Sequence, residues 1–303
     1  MTTPTTSSTP SPLRAWLMAI RIPTLPAAVV PVLVGSATAL ADGMFKPLAF
    51  FAALLATVLI QIGTNLANDY FDYQKGADTV ERLGPTRVTQ SGLIAPQVVR
   101  NAMLLSFGMA ALLGVYLIFV GGWPILVIGL LAIAAGILYT GGPFPLGYNG
   151  LGDIFTFVFF GVVAVVGTDY LHTDAFRSVA FLASIPVALL VTAILVVNNL
   201  RDAPTDRVAN KRTLAVIFGE HFARIEYAVL VLLAFLLLPV IWMWGGASPL
   251  ILLPWLTAPL ALNLLDVVGK QRGRPLNKAL AGTARLHMIF GALLTLGLLI
   301  PLG

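Results

Sequence analysis

The chain has no cysteine at all, which excludes disulfides, thiolate metal sites and a thiol nucleophile. Charge is nearly as scarce, at 10% of 303 residues. Histidine occurs only three times, as His172, His221 and His287, too far apart for the short spacings of a zinc site. Against these absences stands a 58% share of apolar residues and a mean hydropathy of +0.92. No soluble domain of this length needs so much apolar surface, so the solvent of the folded chain is lipid. The apolar runs are continuous and lack period-two alternation, which excludes a β-barrel. Helices remain, because lipid leaves every backbone amide to be satisfied within its own segment.

A membrane-length window gives nine spans, near 23–41, 48–72, 99–120, 123–140, 152–170, 178–200, 222–243, 249–267 and 284–302. The expected architecture is an all-α integral membrane protein: nine transmembrane helices around a central cavity, two four-helix halves plus one, with cytoplasmic cap loops. Residues 1–12, rich in Ser, Thr and Pro, read as a disordered cytoplasmic tail ahead of a single domain over 13–303. With the N-terminus inside, only Lys46 and Arg177 of the 18 basic residues fall on outer segments. This strong positive-inside bias places the chain in the inner or plasma membrane with its C-terminus on the far side. A bilayer is the expected surroundings, and no nucleic-acid partner is expected.

Five of the 13 acidic residues sit in two short stretches, each at the predicted cytoplasmic end of an apolar span. The first is Asn65-Leu-Ala-Asn68-Asp69-Tyr-Phe-Asp72, followed by Lys75, Gly76 and Asp78. The second is Asn198-Asn199-Leu-Arg201-Asp202-Ala-Pro-Thr-Asp206. Carboxylates at a membrane rim are costly unless they hold something. Asn65, Asn68, Asp69 and Asp72 are three and four apart and share a helical face, as do Asn198, Asp202 and Asp206, although Pro204 predicts a kink or an end there. Hard oxygen donors of this kind suit Mg²⁺, which is usually completed by water and substrate phosphates. The pattern therefore points to a membrane enzyme acting on a diphosphate. Asp69, Asp72, Asp78, Asp202, Asp206 and Asn68 are the candidate metal ligands. Lys75, Arg201, Lys211 and Arg212 stand beside them as candidate phosphate clamps, with Asn65 completing the polar shell.

The stretches NDYFDYQKGADT and NNLRDAPTDRVANKRTLAV resemble the two aspartate-rich motifs of the UbiA superfamily of intramembrane prenyltransferases. The likeness covers nearly the whole chain outside the tail and is nearest to the branch that prenylates 1,4-dihydroxy-2-naphthoate on the way to menaquinone. Arg21-Ile-Pro-Thr-Leu-Pro, the run from Tyr139 to Tyr148 and Lys211-Arg-Thr-Leu-Ala-Val carry the same resemblance. The broad pattern NDxxDxxxD is not kept, since Gly76 stands where its last acid belongs. Asp78 instead follows the DYxxGxD form of the naphthoate branch. The resemblance implies Mg²⁺-dependent transfer of a polyprenyl group from polyprenyl diphosphate to the ring, with loss of the ring carboxylate. It further suggests Asp69, Asp72, Asp202 and Asp206 as the catalytic set. Tyr139, Asp153 and Arg21 are candidate contacts for the allylic cation, the acceptor ring and an anionic group, respectively. Rival readings are another aromatic acceptor, such as 4-hydroxybenzoate or homogentisate, or a secondary transporter. The polar segment from Glu81 to Gly92 is expected to cap the site as a lid or to be a plain connector.

Overall fold

The computed structural model describes residues 10–77, 82–244 and 248–300, and among these every regular element is helical. Seven helices are long and apolar enough to cross a bilayer, or eight if a bent pair at the N-terminus counts as one crossing. The chain is thus an all-helical, multi-pass membrane protein. Large apolar side chains such as Phe119, 85% exposed, cover its flanks, which suits lipid and would be a liability in water.

The first helix, α1, spans Pro12–Ile20, with Ser11 accepting from the Arg14 amide and Pro12 opening the turn. The expected tail lies largely outside the described residues, and its last members already belong to this helix and its cap. Arg21 ends α1 in the left-handed region, φ 56°. A short 3₁₀ turn, Ile22–Thr24, then leads into α2, Pro26–Ala41, at a bend of 47°.

Helix α3, Pro47–Gln74, runs back beside α2 and ends in the first acidic motif. Its Asn65 amide donates to Ile20 O and Thr24 Oγ1, both at 2.9 Å, and Gln61 donates to Thr24 Oγ1 at 3.2 Å. The polar side chains of α3 therefore fix the corner between α1 and α2.

Helix α4, Pro96–Leu138, has 43 residues, twice what a bilayer needs. Gly122 breaks it with φ 68° and ψ −157°, a backbone shape that side chains disfavour. The Phe107 ring lies 3.4 Å from where a Cβ on Gly136 would sit. In a straight helix these residues would be about 43 Å apart. The chain accordingly doubles back at Gly122, and Phe107 is wedged between Gly63 of α3 and Gly136.

Helix α5, Gly152–Thr173, carries a π-helical stretch over Phe157–Val163. Gly161 within it presses on Ala188 so closely that a Cβ would fall 2.1 Å from that methyl group. Close backbone approach at small residues is the usual way helices associate in lipid, where no hydrophobic drive exists between them. The partner there, α6, Ser178–Val208, is the most buried span and runs on through Pro186 and Pro204 to the second acidic motif. The helix does not end at Pro204 but persists to Val208.

A single turn α7, Leu214–Ile217, precedes α8, Glu220–Trp244. Helix α9, Pro249–Lys270, begins as 3₁₀ and continues as α-helix from Ala258, and α10, Leu276–Leu298, closes the bundle. The largest core cluster joins α2, α6, α8, α9 and α10 around Leu190, Tyr227 and Phe290.

Candidate active site

The last two turns of α3 and of α6 lie at the same end of the bundle, and three connecting segments meet over them. Asp72 is 1% exposed, and its partners come from all three segments. Its Oδ2 accepts from Arg87 Nη2 at 3.0 Å and from Lys211 Nζ at 3.2 Å. Its Oδ1 accepts from the Tyr148 hydroxyl at 2.8 Å. Lys211 follows the second motif, so this ion pair joins the two acidic stretches directly.

Tyr148 is the hub. The ammonium groups of Lys75 and Lys211 sit over its ring, 4.8 and 4.7 Å from the centroid. Its carbonyl accepts from the Arg212 amide at 2.9 Å, which ties the segment after α4 to the one after α6. Lys75 also donates to Thr140 O at 2.6 Å, while the Thr140 hydroxyl donates to Asn68 Oδ1 at 3.0 Å. Burial pulls the Lys75 ammonium below its ordinary pKa; the Asp72 charge opposes that shift and Lys211 adds to it.

On the α6 side, Arg201 is 1% exposed and its guanidinium is held from three directions. It donates to both oxygens of Asp202, at 2.8 and 2.5 Å, to Asn198 Oδ1 at 2.8 Å and to Asn277 Oδ1 at 2.9 Å. Asn277 in turn donates to Leu83 O at 3.0 Å, and Gly84 packs against the Arg201 guanidinium. The segment 82–95 is therefore a strap stitched to both motifs. Asp206 lies within electrostatic reach of Lys211, Asp202, Asp72 and Arg82. The Lys211–Asp72 bond and the charges around Asp206 bring the two motifs together at this end of the bundle.

Below this polar layer lies a cavity of about 340 Å³ between α2, α3, both arms of α4, and α5. Its walls are almost wholly apolar, from Tyr139 and Phe155 down to Leu171 and Ile125. Val115, Leu126 and Leu130 line it and are also exposed outward, so it opens sideways. Tyr139 stands at the junction: it lines the cavity and feels the charges of Asp153, Asp206 and Asp72. Its hydroxyl lies 2.9 Å from where a Cβ on Gly152 would be.

The other predicted residues are dispersed. Asp153 is 5% exposed, beside Tyr139 and Glu226, and its Oδ1 has no hydrogen-bond partner among the described residues. Asn65 and Arg21 belong to the α1–α2 corner, where the Asn65 amide is engaged as described. The Arg212 side chain is exposed. Asp78 lies outside the described residues. Sequence reasoning missed Arg87, Tyr148, Asn277 and Glu226. Arg87, Tyr148 and Asn277 meet the motifs through contacts 15, 76 and 76 residues away along the chain.

The donors gathered here are carboxylate and amide oxygens, without His or Cys, which suits a hard divalent cation. Among the described residues no three acidic or His side chains form a closed metal cage. The set fits Mg²⁺ held by one or two carboxylates at a time and completed by phosphate oxygens.

Comparison with known proteins agrees with this geometry. The chain is 36% identical to a 1,4-dihydroxy-2-naphthoate octaprenyltransferase of Bacillus subtilis, over 91% of this chain and 89% of that one. It is 37% identical to the protein of that name in Haemophilus influenzae, over 95% and 96%. A solved UbiA homologue from Archaeoglobus fulgidus, bound to GPP and Mg²⁺, superposes with a TM-score of 0.65 at 14% identity, covering 94% of this chain and 99% of that one. The model of the UbiA prenyltransferase family matches residues 28–300, and the chain belongs to that family.

Proposed function

We propose that the protein is a 1,4-dihydroxy-2-naphthoate polyprenyltransferase of menaquinone biosynthesis, an Mg²⁺-dependent membrane transferase that prenylates the ring with loss of its carboxylate. The Lys211–Asp72 ion pair carries this reading: it ties the segment after the second acidic motif to the first motif, beside an apolar cavity lined from Tyr139 to Leu171. The names of the relatives support the acceptor, and the bound GPP and Mg²⁺ of the A. fulgidus homologue support the donor and the metal.

Asp72, Asp202 and Asp206, with Asn68, would hold the metal, and Asp78 joins them by its place in the motif. Mg²⁺ neutralises charge that grows on a departing diphosphate. Lys75, Lys211 and Arg87 converge on the same anion from three segments and bind it by charge-assisted hydrogen bonds. The donor's C–O bond breaks, the diphosphate stays with these cations, and the allylic cation faces Tyr139. The apolar cavity holds the prenyl tail, and the strap over 82–95 keeps water from the cation. The ring forms the new C–C bond, and its carboxylate leaves as carbon dioxide. Asp153, buried beside Tyr139, orients the ring's polar substituents.

The reversal at Gly122 splits α4 into two crossings. Counting that reversal as two crossings and the N-terminal bent pair as one, we read nine crossings, in two four-helix groups and a last helix. With that count, the distribution of basic residues supports an N-terminus and active-site segments in the cytoplasm and a C-terminus on the opposite side. The test is purified protein supplied with prenyl diphosphate and a panel of aromatic acceptors, with Mg²⁺ or with EDTA. Mg²⁺-dependent diphosphate release with dihydroxynaphthoate is expected. Release with 4-hydroxybenzoate instead would overturn the acceptor, and no release with any acceptor would overturn the enzyme.

A further inference from the structure

Four aspartates stand in the two motifs as equals, yet the structure treats one of them differently. Asp69 is 2% exposed, and both its oxygens are taken by backbone amides of the strap. Its Oδ2 accepts from Val88 N at 3.2 Å and its Oδ1 from Thr89 N at 3.1 Å. Two consecutive N–H groups closing on one carboxylate form an anion-binding nest. The chain is wound into a turn there: Ser91 N donates to Arg87 O at 3.0 Å and Leu93 N to Val88 O at 2.9 Å. Val88 is wholly buried in the cluster of Leu66, Val99 and Phe107, which anchors the same turn from its apolar side. Arg87 directly precedes this anchor, and Asp72 is one helical turn beyond Asp69 on the same face. Gripping Val88 and Thr89 therefore delivers the Arg87 guanidinium to Asp72.

We infer that Asp69 is a positioning residue for the strap, which sets Arg87 over the diphosphate site, and that in the first motif the metal is borne by Asp72 and not by Asp69. The inference rests on the transferase reading above. Arg87, 5% exposed, offers a planar fork suited to a pyrophosphate oxygen pair once it is held in place. A loosened strap would leave metal affinity intact and lose that fork.

The test compares Asp69→Asn, which keeps the volume and one acceptor, with Asp72→Asn in purified protein. Mn²⁺ binding is followed by electron paramagnetic resonance, and backbone exchange in the 82–95 peptide by mass spectrometry. Asp69→Asn should leave the Mn²⁺ affinity within about twofold, while Asp72→Asn weakens it about tenfold or more. Asp69→Asn should also speed exchange in that peptide and raise the KM for prenyl diphosphate about tenfold. In the Arg87→Ala background it should add little further loss, because both changes remove one contact. Weakening of Mn²⁺ binding by Asp69→Asn to the extent of Asp72→Asn, or losses that multiply with Arg87→Ala, would overturn the assignment. Exchange and Mn²⁺ binding need no turnover, so a protein that releases no diphosphate would refute the transferase reading while still deciding this one.

Discussion

The two ends of the helix bundle each bury an aspartate against basic side chains, and they do so in opposite ways. At the end away from the motifs, Asp169 is fully buried and accepts from Thr38 Oγ1 at 2.7 Å and Arg177 Nε at 2.9 Å. Arg177 closes a second contact to it and another to Asp42. Nearby, the Lys46 amide donates to His172 Nδ1 at 3.2 Å, which leaves the ring proton on Nε2 to donate to Ser36 at 3.0 Å. The Lys46 ammonium pairs with Asp174 at 2.9 Å. Except for Lys46, Asp42, Asp174 and Arg177, which cap helix ends, these groups lie within helices, and the network is closed on itself. At the other end Asp72 gathers Arg87, Lys211 and Tyr148, each on a different connecting segment. A carboxylate satisfied by its scaffold staples helices together. One satisfied by cations on loops holds those cations ready for another anion.

Substitutions can break that contrast. Asp72→Ala should cut kcat by about a hundred- to a thousandfold. Its melting temperature in detergent should drop less than that of Asp169→Ala, because its cations ride on connecting segments. Asp202→Ala should cut kcat as far and also cost stability by stranding the buried Arg201. Asp169→Ala should do the reverse of Asp72→Ala, costing about 3–5 kcal/mol of stability by stranding Arg177, with near-normal turnover per folded molecule. If folded Asp169→Ala protein lost turnover like Asp72→Ala, the two ends would not differ in kind. Lys211→Met removes one cation and the bridge between motifs, and a fall of about ten- to a hundredfold in kcat/KM is expected in steady-state assays. Tyr148→Phe keeps the ring under both ammonium groups and deletes the hydroxyl's bond to Asp72. A loss of about fivefold, on the order of 1 kcal/mol, should follow. The smallest effect concerns the tail. Gly129 lines the cavity with open space where a Cβ would point, so Gly129→Phe should shift preference toward shorter prenyl diphosphates and leave their kcat unchanged.

Much of the fold is legible along the chain because lipid simplifies the problem: a long apolar run becomes a helix, and its length is set by the bilayer. The acidic motifs stand out for the same reason, since a carboxylate is conspicuous among Leu and Val. Arg87 and Tyr148 do not stand out. Arg87 sits in a polar segment that reads as a connector, and Tyr148 in a Gly/Pro-rich turn, and the Asp72 carboxylate that each meets lies 15 and 76 residues away. Asp169 and His172 are equally silent: Arg177 stands only eight residues past Asp169, but Thr38, Ser36 and Lys46, which complete the network, lie more than a hundred positions away. Pro204 misled in the other direction. Its missing amide predicts an end or a kink, but α6, buried along most of its length, does not end there and continues to Val208.

By itself the sequence determined that this chain lives in a membrane, that it is helical, and that two oxygen-rich clusters stand at the ends of apolar helices. Those follow from composition and from spacings of three and four, which are local quantities. Only the tertiary structure decided which cations reach Asp72, that the strap is gripped by Asp69, and that the apolar cavity ends at Tyr139. Each depends on side chains brought within 3 or 5 Å of one another from opposite parts of the chain, and no local pattern encodes such a meeting.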